Sequence, residues 1–171
     1  RDVKNPRVHI EIGNEGGVPL TVVKLAVKLR DEAEAAAKRE KDENLRYDQV
    51  WAVYDVDDHP QLNDARQLAD AKGILAAISN PCFELWALLH FADQCAHIER
   101  ERLGSVLRKF LPRYEKHLPY EKLRANYESA LRRARELATE CARHGQGRNP
   151  STKVFELTQM IPYSKVALGL L

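Results

Sequence analysis

The chain has 171 residues, of which 44% are apolar and 30% are charged, and its formal net charge is +2. These values are typical of one globular domain with a full core. No apolar run approaches the roughly 20 residues that a membrane helix needs, so we expect no membrane association. The three cysteines (Cys82, Cys95 and Cys141) are widely spaced and form no CxxC pair. This favours a reduced, cytoplasmic protein and gives no zinc site.

Charge is distributed unevenly along the chain. Residues 1–97 hold 12 Lys/Arg against 17 Asp/Glu, whereas residues 98–148 hold 13 against 7. The second segment is therefore a candidate surface for a polyanion. An Arg-rich pair of helices that is simply exposed to water would have the same composition, and charge alone leaves both interpretations open.

Strand and helix patterns alternate in the first half of the chain. Alternating apolar and polar side chains predict a strand at residues 7–13, and helical spacing of apolar side chains predicts an amphipathic helix at 21–41. Two short apolar runs, 49–54 and 74–79, predict strands buried on both faces, and a helix is predicted between them at 61–73. Short connections between such elements predict right-handed crossovers and a parallel sheet flanked by helices.

Only helices are predicted in the second half. Asn80 and Pro81 are expected to cap and open a buried helix at 82–91, because Asn favours the cap position and Pro the first helical position. Further helices are predicted at 98–111 and 121–143. A last helix is expected after the second Asn-Pro pair, Asn149–Pro150. We expect one compact domain in three parts: an α/β core (1–97), an added basic helical hairpin (98–148) and a C-terminal helix that packs on the core (149–171).

Three carboxylates follow the predicted strand at 49–54: Asp55, Asp57 and Asp58. Asp55 and Asp57 are two positions apart in an extended segment, so their side chains share a face. The carboxyl ends of parallel strands form the functional edge of such a sheet. Hard oxygen ligands that converge there suit Mg²⁺ or Mn²⁺. A DxD pattern is a weak signal alone, since acidic loops after strands are usually just solvated.

Two further acids are expected at the same edge. Glu15 follows the first predicted strand and suits a metal ligand or a general acid or base, although an exposed turn residue is the alternative. Glu84 is the only charged residue between Ser79 and Phe91, in a helix expected to be buried. A lone buried carboxylate is costly, so we expect Glu84 to have a partner or to face the site. The alternative is a first-turn acid favoured by the helix dipole.

Three segments resemble the RloB-like family: AVYDVDDHPQLNDARQLADAKGILAAISNPCFELWALLHF (52–91), LPRYEK (111–116) and NPSTKV (149–154). That family is implicated in prokaryotic abortive infection and phage defence and is usually placed with Toprim domains. The resemblance implies a Rossmann-like parallel sheet, with a Glu after the first strand and a DxD after a later one, that binds divalent metal for phosphodiester chemistry. It also implies a partner ATPase, and no Walker motif exists here to supply that function.

The family's metal-binding acids are assigned by this resemblance. The DxD corresponds to Asp55 and Asp57, with Asp58 as a further acid. The glutamate corresponds to Glu15 within NEGGVP, which lacks the family's usual Thr-Glu before proline. Alignment on Pro19 would instead place that glutamate at Gly13, and Glu11 is a second candidate.

Two functions of different classes stay open. In a Mg²⁺- or Mn²⁺-dependent nuclease, Glu15 would act as acid or base while Asp55 and Asp57 hold the metal, with Asp58 and Glu84 as further ligands. The nucleic-acid backbone would be held by basic side chains of the hairpin: Arg108, Lys109, Arg113, Lys116, Arg132 and Arg133. Alternatively, a non-catalytic module would sense a phosphorylated ligand or a protein partner, which the altered glutamate segment favours. Neither the substrate nor the oligomeric state follows from the sequence.

Overall fold

A computed structural model describes residues 17–56, 61–115, 118–144 and 148–161. The predicted strand at 7–13 lies outside these ranges. The described elements, in chain order, are α1 (Pro19–Glu40), a 3-10 turn (Glu43–Leu45), β1 (Trp51–Asp55), α2 (Leu62–Lys72), β2 (Leu75–Asn80), α3 (Glu84–Leu89), α4 (Arg100–Phe110), α5 (Tyr120–Ala125), α6 (Tyr127–His144), β3 (Ser151–Thr152) and α7 (Val154–Met160). This is a mixed α/β fold. None of the described helices combines the length and apolar character that a membrane crossing requires.

The three described strands form one sheet in the order β1-β2-β3. The Leu75 N–H donates to the Val50 carbonyl near the start of the first pair. The Val56 N–H donates to the Ser79 carbonyl near its end, so β1 and β2 run in the same direction. β3 is antiparallel to β2, with Ser79 opposite Thr152. The predicted parallel arrangement therefore holds for β1 and β2, and β3 makes the sheet mixed.

The strands are less buried than their apolar composition predicts. In β1, Ala52 and Tyr54 are buried, but Val53 between them is 40% exposed. At the start of β2, Leu75 is 41% exposed. This alternation is typical of a strand that packs on one face only. Burial on both faces, expected from the continuous apolar runs, is therefore wrong for these positions.

Neither Asn-Pro pair opens a helix. Asn80 is the last residue of β2, and α3 begins three positions after Pro81, at Glu84. Asn149 stands before β3 and is bonded to the backbone of Ile98. The Ile98 N–H donates to Asn149 Oδ1 at 3.0 Å, and Asn149 Nδ2 donates to the Ile98 carbonyl at 2.9 Å. The predicted cap role is wrong, because Asn80 pairs with Ser151 in the sheet and the Asn149 side chain is bonded to the backbone of Ile98.

The described residues form two compact units: 17–54 with 61–77, and 55–56 with the residues from 78 onward. In the first, α1 packs on α2. Small side chains allow the close approach, since the buried residues of the two helices include Ala26, Ala37, Ala65 and Ala69. Arg30 of α1 donates to the Lys72 carbonyl at the end of α2. Gly73, at φ 65°, ends α2 in the left-handed conformation that glycine adopts without strain.

The second unit is organised around α3. Its residues Leu85, Trp86, Ala87, Leu88 and Leu89 are each no more than 3% exposed, which confirms the predicted buried helix. Both α4 and α6 pack on α3. Each fully buried large apolar side chain contributes roughly 1.5–3 kcal/mol, so this helix is a main source of the unit's stability. The three-part division at residues 97 and 148 stays a prediction.

Candidate active site

Two carboxylates lie at one edge of the sheet. Asp55 is the last residue of β1, and Glu84 is the first residue of α3, which follows the end of β2. Because β1 and β2 are parallel, their carboxyl ends meet at the same edge. Both residues belong to the second compact unit. The chain path therefore brings two of the sequence-predicted site acids into one region.

Arg100, the first residue of α4, interacts electrostatically with both acids. Its Nη2 atom lies 3.7 Å from Asp55 Oδ2, and its positive charge also lowers the pKa of Glu84. The Arg100 side chain is 49% exposed and that of Asp55 is 23% exposed, so the pair is open to water on one side. Sequence reasoning missed Arg100, because a basic residue at a helix start gives no local signal of a partner on a distant strand.

Glu84 is held by several hydrogen bonds. The Tyr114 hydroxyl donates to Glu84 Oε1 at 3.1 Å. Burial raises the pKa of Glu84. Hydrogen bonds from the Cys82 thiol, the backbone N–H of Glu84 and the Tyr114 hydroxyl lower it, and so does the charge of Arg100. Together these lower the pKa more than burial raises it. The net effect is a pKa below the ordinary value, so Glu84 is ionised at neutral pH. Its carboxylate is therefore a fixed negative charge rather than a proton donor.

Cys82 and Tyr114 remain protonated donors. Burial, the hydrogen bond to Glu84 and the charges of Glu84 and Asp55 all raise the pKa of the Cys82 thiol. Burial and the charge of Glu84 likewise raise the pKa of Tyr114, while the charge of Arg108 lowers it. The thiol is not a nucleophile at neutral pH, since the thiolate is the reactive form. Cys82 is therefore bonded to Glu84 and lies within electrostatic range of Asp55.

These two carboxylates are the described part of the predicted metal set. Their oxygens are of the hard type that Mg²⁺ and Mn²⁺ prefer, so the chemistry of the donors fits such an ion. Within the described ranges, no group of three His, Cys, Asp or Glu side chains is arranged to hold a metal. The other predicted acids lie outside the described residues: Asp57, Asp58, Glu15 and the second candidate Glu11.

Comparison with known proteins identifies the family. Residues 1–161 of the chain match the family described as RloB-like protein. The chain belongs to the RloB-like family. The resemblance of its three motif segments is thereby confirmed. No curated protein and no solved structure matches the chain.

The predicted nucleic-acid contacts of this RloB-like chain fall into two groups. Arg108 and Lys109 in the last turn of α4, and Arg113 just after it, are exposed. Lys116 lies outside the described residues. Exposed cations of this kind are available to a phosphate backbone.

The second group, on α6, is engaged with protein atoms. Arg132 Nη1 donates to both carboxylate oxygens of Glu136, at 2.8 and 2.9 Å. Arg133 is only 17% exposed, and its Nε donates to Asp93 Oδ1 at 2.7 Å. Its Nη1 donates to the Leu89 carbonyl at the end of α3, at 2.8 Å. Arg133 therefore helps to hold α6 on α3, whatever else it does.

Proposed function

We propose that this protein is a Mg²⁺- or Mn²⁺-dependent nuclease of the Toprim type that acts in prokaryotic phage defence. The convergence of Asp55 and Glu84 on Arg100, at the carboxyl edge of a parallel strand pair, carries the proposal. Carboxylates that can hold a divalent cation, beside an arginine that can bind phosphate, suit phosphodiester hydrolysis. Membership of the RloB-like family supports the proposal, since the role in phage defence is what the resemblance to that family implies.

Each described residue has a role in this proposal. Asp55 and Glu84 would hold the metal together with Asp57 and Asp58, and the metal when bound would polarise the scissile phosphate. Tyr114 and Cys82 would fix the orientation of the Glu84 carboxylate through their hydrogen bonds. Arg100 would neutralise charge that develops on the phosphate oxygens. Glu15, or else Glu11, would act as the general acid or base.

Nucleic acid is the proposed partner. Arg108, Lys109 and Arg113 would hold its backbone, because they are exposed cations on the unit that carries Asp55 and Glu84. The same role for Lys116, Arg132 and Arg133 stays a prediction. A partner ATPase and a cytoplasmic location are proposed on the family resemblance.

Cleavage assays test the nuclease directly. Labelled single- and double-stranded DNA and RNA would be incubated with Mg²⁺ or Mn²⁺ and wild-type protein, Asp55→Asn or Asp57→Asn. We expect metal-dependent cleavage by wild type and a loss of at least roughly a hundredfold in either variant, because each removes a charged metal ligand. Asp64→Asn, an exposed acid of α2, is the matched control and should cleave like wild type. Cleavage by Asp55→Asn at the wild-type rate would refute the assignment.

A specific observation favours the second function, a non-catalytic sensor of a phosphorylated ligand or protein partner. Arg100 already balances the charge of Asp55, and Glu84 already receives hydrogen bonds from Cys82 and Tyr114. A site balanced by protein groups needs no metal for its stability. The two functions separate in one experiment: a sensor binds ligand with the same affinity in Mg²⁺ and in EDTA and cleaves nothing.

A further inference from the structure

One side of α4 carries two arginines separated by a glycine. Arg100, Gly104 and Arg108 follow one another at steps of four residues, so they lie along the same side of the helix. The Cα atoms of the two arginines are about 12 Å apart along the helix axis. The exposed Arg102 lies on the opposite side of the helix, about 200° away from Arg100.

Arg100 borders a site acid, and Arg108 lies within electrostatic range of a residue bonded to the other acid. Arg100 lies 3.7 Å from Asp55. Arg108 acts electrostatically on Tyr114, whose hydroxyl is bonded to Glu84 at 3.1 Å. This side of α4 therefore has one end, at Arg108, near Tyr114 and the other end, at Arg100, near Asp55.

Gly104 leaves space between the two arginines. Among the described residues, and leaving aside the neighbouring backbone of its own helix, a Cβ atom built at this position meets no heavy atom within 4 Å. Glycine inside a helix costs roughly 0.5–1 kcal/mol relative to alanine, so this position is not optimised for helix stability. Its effect is to let another group approach the helix backbone between two cations.

We propose that Arg100, Gly104 and Arg108 form a track for a nucleic-acid backbone. Arg108 and Arg100 each hold a phosphate, and the strand passes close to the helix at Gly104 on its way to Asp55 and Glu84. Two cations spaced about 12 Å apart match phosphates in series better than a single free phosphate. This inference rests on the proposed function and specifies how that site receives its substrate.

Charge-removing variants test the track. Fluorescence anisotropy with labelled single-stranded DNA and RNA oligonucleotides, in EDTA and at several salt concentrations, would compare wild type with Arg100→Gln and Arg108→Gln. Each variant should weaken binding roughly tenfold or more, because it removes a charge-assisted hydrogen bond to phosphate. The slope of log affinity against log salt should fall by about 0.7 for each arginine. Arg102→Gln removes the same charge from the opposite side and should bind like wild type. Equal binding by all three variants would overturn the track.

A second variant tests the space without changing charge. Gly104→Leu fills the gap, so it should weaken oligonucleotide binding at least roughly tenfold, in line with the loss of one phosphate contact. Stability should stay constant or rise, because leucine is a better helix former than glycine. Ser105→Leu adds a similar side chain at the next, exposed position and should bind like wild type. If Gly104→Leu bound oligonucleotide with wild-type affinity, the track would be overturned even if both arginine variants bound weakly.

The outcomes separate the track from the nuclease. Binding in EDTA requires no catalysis, so weakened track variants in a protein that never cleaves would support the track and refute the nuclease. Cleavage by wild type, with track variants that bind like Arg102→Gln, would leave the nuclease standing and overturn the track. Failure of wild type to bind either oligonucleotide at low salt would overturn the track outright.

Discussion

Helices α4 and α6 each carry four Lys/Arg and pack on the same helix, α3, yet their basic side chains have different surroundings. On α6, Arg132, Arg133 and Arg143 pair with carboxylates, and Arg135 donates to Gln159. On α4, Arg100 pairs with Asp55, while no carboxylate among the described residues pairs with Arg102, Arg108 or Lys109. Basic composition therefore does not define a nucleic-acid surface; what matters is which cations already have partners.

The largest expected effect on stability concerns His90, which follows α3, is buried and is influenced by the charge of Arg133 on α6. Burial is the main cause that lowers the pKa of His90 to about 4, and the charge of Arg133 lowers it further. Its Nδ1 lies 2.9 Å from the Trp86 carbonyl oxygen. In the unfolded chain its pKa is near 6.5, so only the unfolded state gains a proton as the pH falls from 6.5 towards 4. This histidine should therefore reduce the free energy of unfolding by about 3 kcal/mol across that range.

Urea titrations at several pH values measure this loss. His90→Gln should remove most of the decline between pH 6.5 and 4 that wild type shows. His97→Gln, which replaces an exposed histidine, is the matched variant measured in the same titrations. An unchanged pH dependence in His90→Gln would show that other groups cause the loss of stability.

The next largest effect on stability is expected from one of two matched variants on α6. Arg133→Ala should lower the free energy of unfolding by about 2 kcal/mol, because it leaves the Leu89 carbonyl without this donor and exposes apolar surface. Arg132→Ala, one position away, should leave stability unchanged, because exposed ion pairs contribute little. Chemical denaturation of both variants measures the difference. Equal stability of the two would contradict a structural role for Arg133 and reopen α6 as a free basic surface.

A smaller loss of stability is expected on mutation of Tyr114, which donates to Glu84 and lies within electrostatic range of Arg108 on α4. Tyr114→Phe removes one hydrogen bond to a half-buried carboxylate and should cost about 1 kcal/mol of stability. It should also slow cleavage more than it weakens oligonucleotide binding, because it releases the orientation of Glu84 rather than a phosphate contact. Denaturation and cleavage assays on one preparation measure both. An equal loss of binding and cleavage would place Tyr114 in substrate binding instead.

Local patterns predicted most of the described fold. The predicted bounds of four elements agree with those of α1, β1, α2 and β2 to within about two residues. These elements were predictable because each has a clear apolar period. The patterns failed where distant pairing decides. β3 has two residues and exists because its backbone pairs with β2, and the same pairing makes Asn80 a strand residue.

The candidate site shows the same limit. Asp55 and Glu84 stand out in the sequence because acids are unusual beside apolar segments. Arg100 and Tyr114 do not stand out, since their partners lie far away along the chain. Arg132 and Glu136 have a recognisable spacing of four residues, whereas the contacts of Arg133 with Asp93 and Leu89 depend on how α6 packs on α3.

A calorimetric titration with Mn²⁺ tests the central claim most directly. That claim is that the carboxyl edge of β1 and β2 holds a divalent metal. Wild type and Asp64→Asn should bind Mn²⁺ alike, whereas Asp55→Asn and Glu84→Gln should each weaken binding at least roughly tenfold. Arg100→Gln should strengthen binding, because it removes a cation that competes for Asp55. Equal Mn²⁺ affinity in wild type, Asp55→Asn and Glu84→Gln, or no binding by wild type, would contradict the metal-dependent nuclease.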